Sequence, residues 1–286
     1  METVIRNLTL EDIPEADGLM NLAFSLLGNR QAEMRRYLTM QPDGFLTLRE
    51  NGELTAMVGA VDYGTFAWIG LMAVKPERQR QGLGNLLMKQ LLAWLDGRGC
   101  PMARLDASDA GEGLYRKFGF MDAGRALVFT KLDHDCTKPV QFENSAGIQL
   151  MQAADLTEVV ELDEHIAGAR RENLLSIYRG DFPERSFVAH SPSGKISGYL
   201  VAQWQKIGPW GCADPSAAAG LLQAALSLPY EDAPRVIVPV ENEHARQVLL
   251  QAGFTEGKAH LHMRRGGEGL PGQRDKLYGQ ASYAVG

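Results

Sequence analysis

The residues in this chain best placed to do chemistry are Gln79-Arg80-Gln81-Gly82-Leu83-Gly84. An apolar run, Ala67 to Val74, comes just before them and is ended by Pro76, and an amphipathic stretch follows directly. Strand, glycine turn and helix N-terminus in that order make an anion-binding device. The first N–H groups of a helix have no intrahelical acceptor, and the helix dipole adds positive potential there. Gly82 and Gly84 let the backbone approach a phosphate closely. Gln79 and Arg80 add side-chain donors, and Arg80 adds charge. The loop reads as a cradle for a pyrophosphate.

The elements around the loop follow from pattern. Thr3 to Leu8 alternates as a first strand, and Thr9 with Asp12 resembles a capping box opening a helix that runs to about Ala23. Gln31 to Leu38 is helical, with Arg35 and Arg36 on its polar side, a solvated face that could also meet an acidic group on a substrate. Phe45 to Leu48 and Leu54 to Val61 are strands joined by Asn51-Gly52, a hairpin turn signal. Trp68 to Val74 leads into the loop. The helix beyond it turns Leu83, Leu86, Leu87, Leu91 and Leu95 to the core and stops at Gly97-Arg98-Gly99. Ala103 to Asp106 is a strand, Ala110 to Phe118 a short helix, and Arg125 to Leu132 a last strand. Mixed strands and helices with a crossover imply an α/β layered domain.

The rest of the chain repeats this plan. Leu156 to Ala169 and Arg170 to Tyr178 are helical, Ser186 to His190 and Ile196 to Gln203 are strands around Ser193-Gly194, Ser216 to Leu226 is a helix, and Arg235 to Val240 is a strand. Asn242 to Phe254 then aligns with Ser108 to Phe120, so that Gly253-Phe254 falls on Gly119-Phe120 and Leu249 on Tyr115. The chain reads as a diverged internal duplication. Its divisions are 1–133, a linker at 134–146, 147–265, and an irregular glycine-rich tail at 266–286.

Composition narrows the function classes. Of 286 residues, 45% are hydrophobic and 22% charged, a balance typical of a globular protein of two ordinary domains. The net charge of −6 argues against a general nucleic-acid binder. Cys100, Cys136 and Cys212 lie far apart without a CxxC pair, which points to a reduced, cytoplasmic protein with small buried or half-buried cysteines. The N-terminus lacks a signal-peptide layout and no apolar run approaches membrane-spanning length, so no membrane partner is expected.

Gln79 to Gly84 fits the [Arg/Gln]-x-x-Gly-x-[Gly/Ala] signature of the GNAT superfamily of acyl-CoA-dependent N-acetyltransferases. Leu114-Tyr115-Arg116-Lys117-Phe118-Gly119-Phe120 resembles the superfamily's second element, a short helix with a tyrosine that ends in Gly-Phe. Residues 1–133 carry the resemblance, and residues 147–265 are similar in fold pattern to the C-terminal domain of two-domain bacterial members. The fold class so implied is α/β (α+β): tandem GNAT-like domains, each a mixed, mostly antiparallel sheet flanked by helices, with a splay between central strands.

The resemblance also implies a site. The pantetheine arm of acetyl-CoA would enter the splay and pair with the backbone of Met72, Ala73 and Val74. Gln79, Arg80, Gln81, Gly82, Leu83, Gly84 and Asn85 would hold the pyrophosphate, with no metal required. The Val74 N–H would serve the oxyanion, and Tyr115 would be the acid that protonates the departing sulfur. For the base, Asp106 at the end of its strand, Asp109 and Glu112 all remain open, as does an ordered water relay. Tyr63, Gly64 and Trp68 lie near the expected acceptor cleft, where core packing is the commoner role for aromatics.

The second half departs from this pattern. Cys212 to Gly220 lacks the Gly-x-Gly, Asp214 would repel a phosphate, and Leu249 replaces the tyrosine. That half is expected to be scaffold and one wall of the acceptor site, with His165, Arg170 and Trp210 as candidate contributors. The expected activity is acetyl transfer to a primary amine of a small molecule in a ternary complex, with no nucleic-acid partner and a homodimer left open. The alternatives are an acetyltransferase acting on protein N-termini or lysines, and a CoA-binding sensor or assembly module without turnover.

Overall fold

The computed structural model describes residues 2–133 and 147–286, so the linker expected at 134–146 lies outside the described residues. In chain order the elements are β1 (Thr3–Asn7), α1 (Ile13–Phe24), α2 (Gln31–Met40), β2 (Phe45–Glu50), β3 (Glu53–Asp62), β4 (Ala67–Val74), α3 (Leu83–Gly97), β5 (Met102–Ala107), α4 (Asp109–Lys117) and β6 (Met121–Thr130). Then come β7 (Ile148–Leu150), α5 (Leu156–Ala167), α6 (Glu172–Asp181), β8 (Ser186–His190), β9 (Ile196–Ala202), β10 (Ile207–Cys212), α7 (Ala217–Leu226), β11 (Arg235–Pro239), α8 (Glu243–Gln251), β12 (Thr255–Gly266) and β13 (Leu277–Gly279).

The chain forms two compact units. The first comprises Met1–Asp122 with Met263–Glu268 and Tyr283–Gly286; the second comprises Ala123–His262 with Gly269–Ser282. These divisions differ from those read off the sequence. From Ala123 onward β6 belongs to the second unit, because it pairs antiparallel with β11 from Ala126↔Pro239 to Thr130↔Arg235. Two short returns of the chain join the first unit. Such long-range pairings leave no local sequence pattern. The tail expected to be irregular instead carries a 3₁₀ turn, Arg274–Lys276, and strand β13.

In the first unit the sheet runs β1-β2-β3-β4-β5. The first three junctions are antiparallel and β4–β5 is parallel. Helix α3 packs on β2, β3 and β4 and buries Leu83, Leu87, Met88, Leu91, Leu92 and Leu95, each such side chain contributing about 1.5–3 kcal/mol. Leu86, expected in that face, is 49% exposed, while Met88 and Leu92 take inward positions. Helix α1 opens at Ile13. Asp12 accepts the Thr9 N–H at 2.9 Å and both Arg6 and Arg49 guanidinium groups, which ties the helix entry to β1 and β2.

In the second unit a five-stranded sheet runs β13-β10-β9-β8-β7. Three of its strands, β7, β10 and β13, go unmarked in the sequence pattern, and β10 carries an Ile-Gly-Pro-Trp-Gly-Cys run. A register shift between Ile207 and Trp210 takes Pro209, which has no N–H to donate, out of the ladder. Helix α5 packs on β9 and β10, and α7 on β8 and β9. Asp163, fully buried, pairs bidentately with Arg171 at 2.6 and 2.9 Å and accepts the Tyr199 hydroxyl.

Candidate active site

A single bulge shapes the first unit's cleft. On β3 and β4, Met57 faces Ala73 and Gly59 faces Gly70, so Val58 alone stands opposite both Leu71 and Met72. Leu71 absorbs the extra residue at a φ of 54°, a region costly for a branched side chain. Beyond this point β4 no longer follows β5. The parallel pairing is confined to Ala67↔Ala103 and Trp68↔Arg104, which leaves the β4 stretch with Met72, Ala73 and Val74 and the β5 stretch with Asp106 unpaired to each other. An extended chain entering this gap can bond both edges, as an added strand does.

The wide end of the gap opens at the glycine loop. Gln79 Nε2 donates to the Val74 carbonyl at 3.2 Å and Gln81 Nε2 to the Glu77 carbonyl at 3.0 Å, so both glutamines brace the loop. Arg78 reaches back to Glu50 at 2.6 Å. Arg80 and Asn85 are exposed. Gly82 is the N-cap of α3 at a φ of 90°. The first helical bond there is from the Leu86 N–H to the Gly82 carbonyl at 3.1 Å, so the N–H groups of Leu83, Gly84 and Asn85 have no intrahelical acceptor. Leu83 itself is buried and anchors the turn. A Cβ on Gly84 would lie 3.2 Å from Leu114 Cδ2 and 3.9 Å from Met72 Sδ, so strand, loop and α4 converge at this glycine.

Tyr115 sits on α4 with 7% exposure. The helix ends in a Schellman motif: the Phe120 N–H donates to the Tyr115 carbonyl at 3.2 Å and the Gly119 N–H to the Arg116 carbonyl at 3.1 Å. Gly119 supplies the left-handed conformation at a φ of 81°, and Phe120 packs edge-on against Tyr115 with ring centroids 5.9 Å apart. The Gly-Phe pair therefore fixes the tyrosine ring. Burial pushes the Tyr115 phenol well above the ordinary tyrosine range, which keeps it protonated near neutrality. Asp106 is half-buried, with Oδ2 enclosed by protein. Glu112 is committed to Arg116 at 2.8 Å, and Arg116 also holds Asp122 at 2.6 Å.

The second unit has the same plan with the site filled. Phe254 donates to the Leu249 carbonyl and Gly253 to the Leu250 carbonyl, both at 3.0 Å, a Schellman motif with Leu249 where Tyr115 stands. At the start of α7, Asp214 accepts the Ser216 N–H at 2.9 Å, a built-in anion at the helix entrance whose backbone bond holds the carboxyl below its usual range. Lys206, just before β10, makes an isolated parallel bridge to Arg235 of β11, and the two strands then diverge. Strand β13 lies in that gap: it pairs antiparallel with β10, and the Gln280 N–H donates to Ile237 of β11 at 2.9 Å. Trp210, a candidate wall residue, is instead fully buried against Tyr278 at 5.0 Å. His165 bonds the Glu161 carbonyl at 2.7 Å, and Arg170 pairs with Glu164 and Glu172.

The residues missed by sequence reasoning are 283–286. They dock on Trp68 of β4 and on Tyr63 in the turn before it. The apolar triplet Tyr283-Ala284-Val285 within a polar tail was their only sequence signal.

Comparison with known proteins agrees with this fold. A model of the acetyltransferase (GNAT) family matches residues 17–120, and a model of an acetyltransferase (GNAT) domain matches residues 159–279. The chain belongs to the GNAT superfamily. It is similar to a putative acetyltransferase from Pyrococcus horikoshii, with a TM-score of 0.85, 27% identity, and coverage of 99% of this chain and 96% of the other. An uncharacterized N-acetyltransferase of Bacillus subtilis, YitH, is 26% identical over 243 residues, 82% of each chain. A holothin acyltransferase from a Pseudoalteromonas species is 24% identical over 259 residues, 89% of this chain and 85% of that one.

This tandem GNAT protein is an N-acetyltransferase, and the superfamily uses acetyl-CoA. Among the described residues, no three His, Cys, Asp or Glu side chains are grouped to hold a metal ion, and no helix is long and apolar enough to cross a membrane.

Proposed function

We propose that the first unit binds acetyl-CoA and transfers its acetyl group directly to a primary amine of a small molecule within a ternary complex. The observation that carries this reading is the union of the β4–β5 gap with the glycine loop at its wide end. The loop offers helix-start N–H groups without an intrahelical acceptor, the open space beside Gly82 leaves room for a phosphate, Gly84 lets the helix start pack on Leu114, and Arg80 supplies charge. The backbone of Met72, Ala73 and Val74 is the edge against which an extended arm pairs.

Each side chain then has a task. The amine must lose a proton, and Asp106, on the β5 side of the gap, is the carboxylate we assign as base, directly or through water. Glu112 is a weaker candidate because it is held by Arg116. The Val74 N–H faces the developing oxyanion. Tyr115, kept protonated by burial, gives its proton to the departing sulfur.

Direct transfer is supported by the two cysteines among the described residues, Cys136 lying outside them. The Cys100 thiol is pushed up by burial and donates to the Met102 carbonyl at 3.2 Å, and Cys212, buried in the second unit, is pushed up to about 12. Neither supplies the thiolate that a covalent acyl carrier needs. A small acceptor is supported by one relative being named for holothin rather than for a protein. The filled gap of the second unit and the Asp214 carboxylate at the entrance of α7 support a single CoA site per chain.

The test is release of free thiol from acetyl-CoA across a panel of small amines and peptides, with Tyr115→Phe as control. Turnover with small amines that collapses in the control is expected. CoA binding without thiol release from any amine would leave only the sensor reading.

A further inference from the structure

The narrow end of the gap is the Trp68↔Arg104 pair. An arm whose pyrophosphate sits at the glycine loop points its thioester toward that end, so whatever extends beyond the sulfur runs along β4 toward Gly70 and Trp68. Residues 283–286 stand there, within the first unit. The Trp68 indole donates to the Tyr283 carbonyl at 3.0 Å, and the Tyr63 hydroxyl donates to the Val285 carbonyl at 2.8 Å. A Cβ on Gly70 would lie 2.4 Å from Ala284 Cα, and one on Gly286 would lie 2.6 Å from the Trp68 ring. Backbone thus meets backbone at Gly70, with no side chain between to swing aside. Val285 is fully buried, and the Arg104 guanidinium lies over the Trp68 ring at 5.4 Å and over that of Phe66 at 4.5 Å.

We infer that Tyr283–Gly286 is the end-stop of the acyl pocket and restricts the transferred group to a short chain such as acetyl or propionyl. This rests on the gap being the thioester site. A long acyl chain must displace backbone that Trp68 and Tyr63 hold in place and that packs against a glycine.

The test is competition binding of free CoA, acetyl-, propionyl- and octanoyl-CoA to the full chain. It is run on the wild type, on Tyr63→Phe, on Tyr63→Phe/Trp68→Phe, and on Val285→Gly, with thermal melts to confirm folding. The wild type should bind octanoyl-CoA at least about tenfold more weakly than acetyl-CoA. The double variant and Val285→Gly should narrow that ratio severalfold while free CoA binds as before. Equal wild-type affinity for acetyl- and octanoyl-CoA overturns the inference, as does an unchanged ratio in every variant that folds. If the wild type binds neither CoA nor any acyl-CoA, the site reading itself fails, a result distinct from loss of selectivity alone.

Discussion

Gly82 allows the phosphate cradle to be tested with strain and charge separated. Its φ of 90° is a conformation that L residues rarely adopt, and a Cβ there would meet nothing within 4 Å. Gly82→Asn therefore adds conformational strain without a clash, at about 1–2 kcal/mol, or a few degrees in thermal midpoint for a chain of this size. Gly82→Asp adds nearly the same strain together with a negative charge at the helix entrance. A unit charge pair at about 4 Å repels by about 1 kcal/mol in water and about 4 kcal/mol at a protein surface. Against the two or more charges of a pyrophosphate the penalty is at least about 2 kcal/mol, or about 30-fold in affinity. Calorimetric titration with CoA should show Gly82→Asp at least that much weaker than Gly82→Asn, with the difference shrinking at high salt. Equal affinities for the two variants would refute the assignment of this loop to the pyrophosphate.

Other consequences follow from single contacts. Tyr115→Phe should lower kcat by about 100-fold with little change in CoA affinity, and because burial raises the phenol's pKa, the wild-type rate should show no Tyr115 deprotonation limb below pH 10. Asp12 is held well below the usual carboxylate range, first by Arg6, so its contribution to stability is complete above about pH 4 and fades as pH falls further. Asp12→Asn should therefore cost about 2 kcal/mol in urea unfolding at pH 7, and the difference from wild type should shrink below pH 4. Asp214→Ala removes the acceptor for the Ser216 N–H and should leave CoA affinity in a calorimetric titration and turnover in a thiol-release assay unchanged. A fall in CoA affinity for that variant would contradict a single site per chain.

Much of the fold was legible locally. Alternation marked β1, apolar stretches and a turn signal marked β2 to β4, the leucine spacing marked α3, and the Gly-Phe pairs marked two helix ends that the structure closes with the same Schellman bonds. β10 was not legible, because Gly208 and Pro209 hide a strand whose register shift accommodates them. Leu86 was misplaced because helical periodicity gives a face but not its edges, and the edge of α3 is set by where the sheet stops.

By itself, then, the sequence determined the elements of the first unit, the duplication, the glycine cradle and the tyrosine helix, since each depends on residues close together in the chain and on backbone rules that hold anywhere. Tertiary structure alone decided what fills each gap. A bulge at Leu71 and Met72 opens the first, β13 occupies the second, and Tyr283–Gly286 closes the narrow end against Gly70 and Trp68. The last of these depends on pairing between residues some two hundred positions apart, Trp68 with Tyr283 and Tyr63 with Val285, and no local periodicity encodes which distant segment will meet a free strand edge.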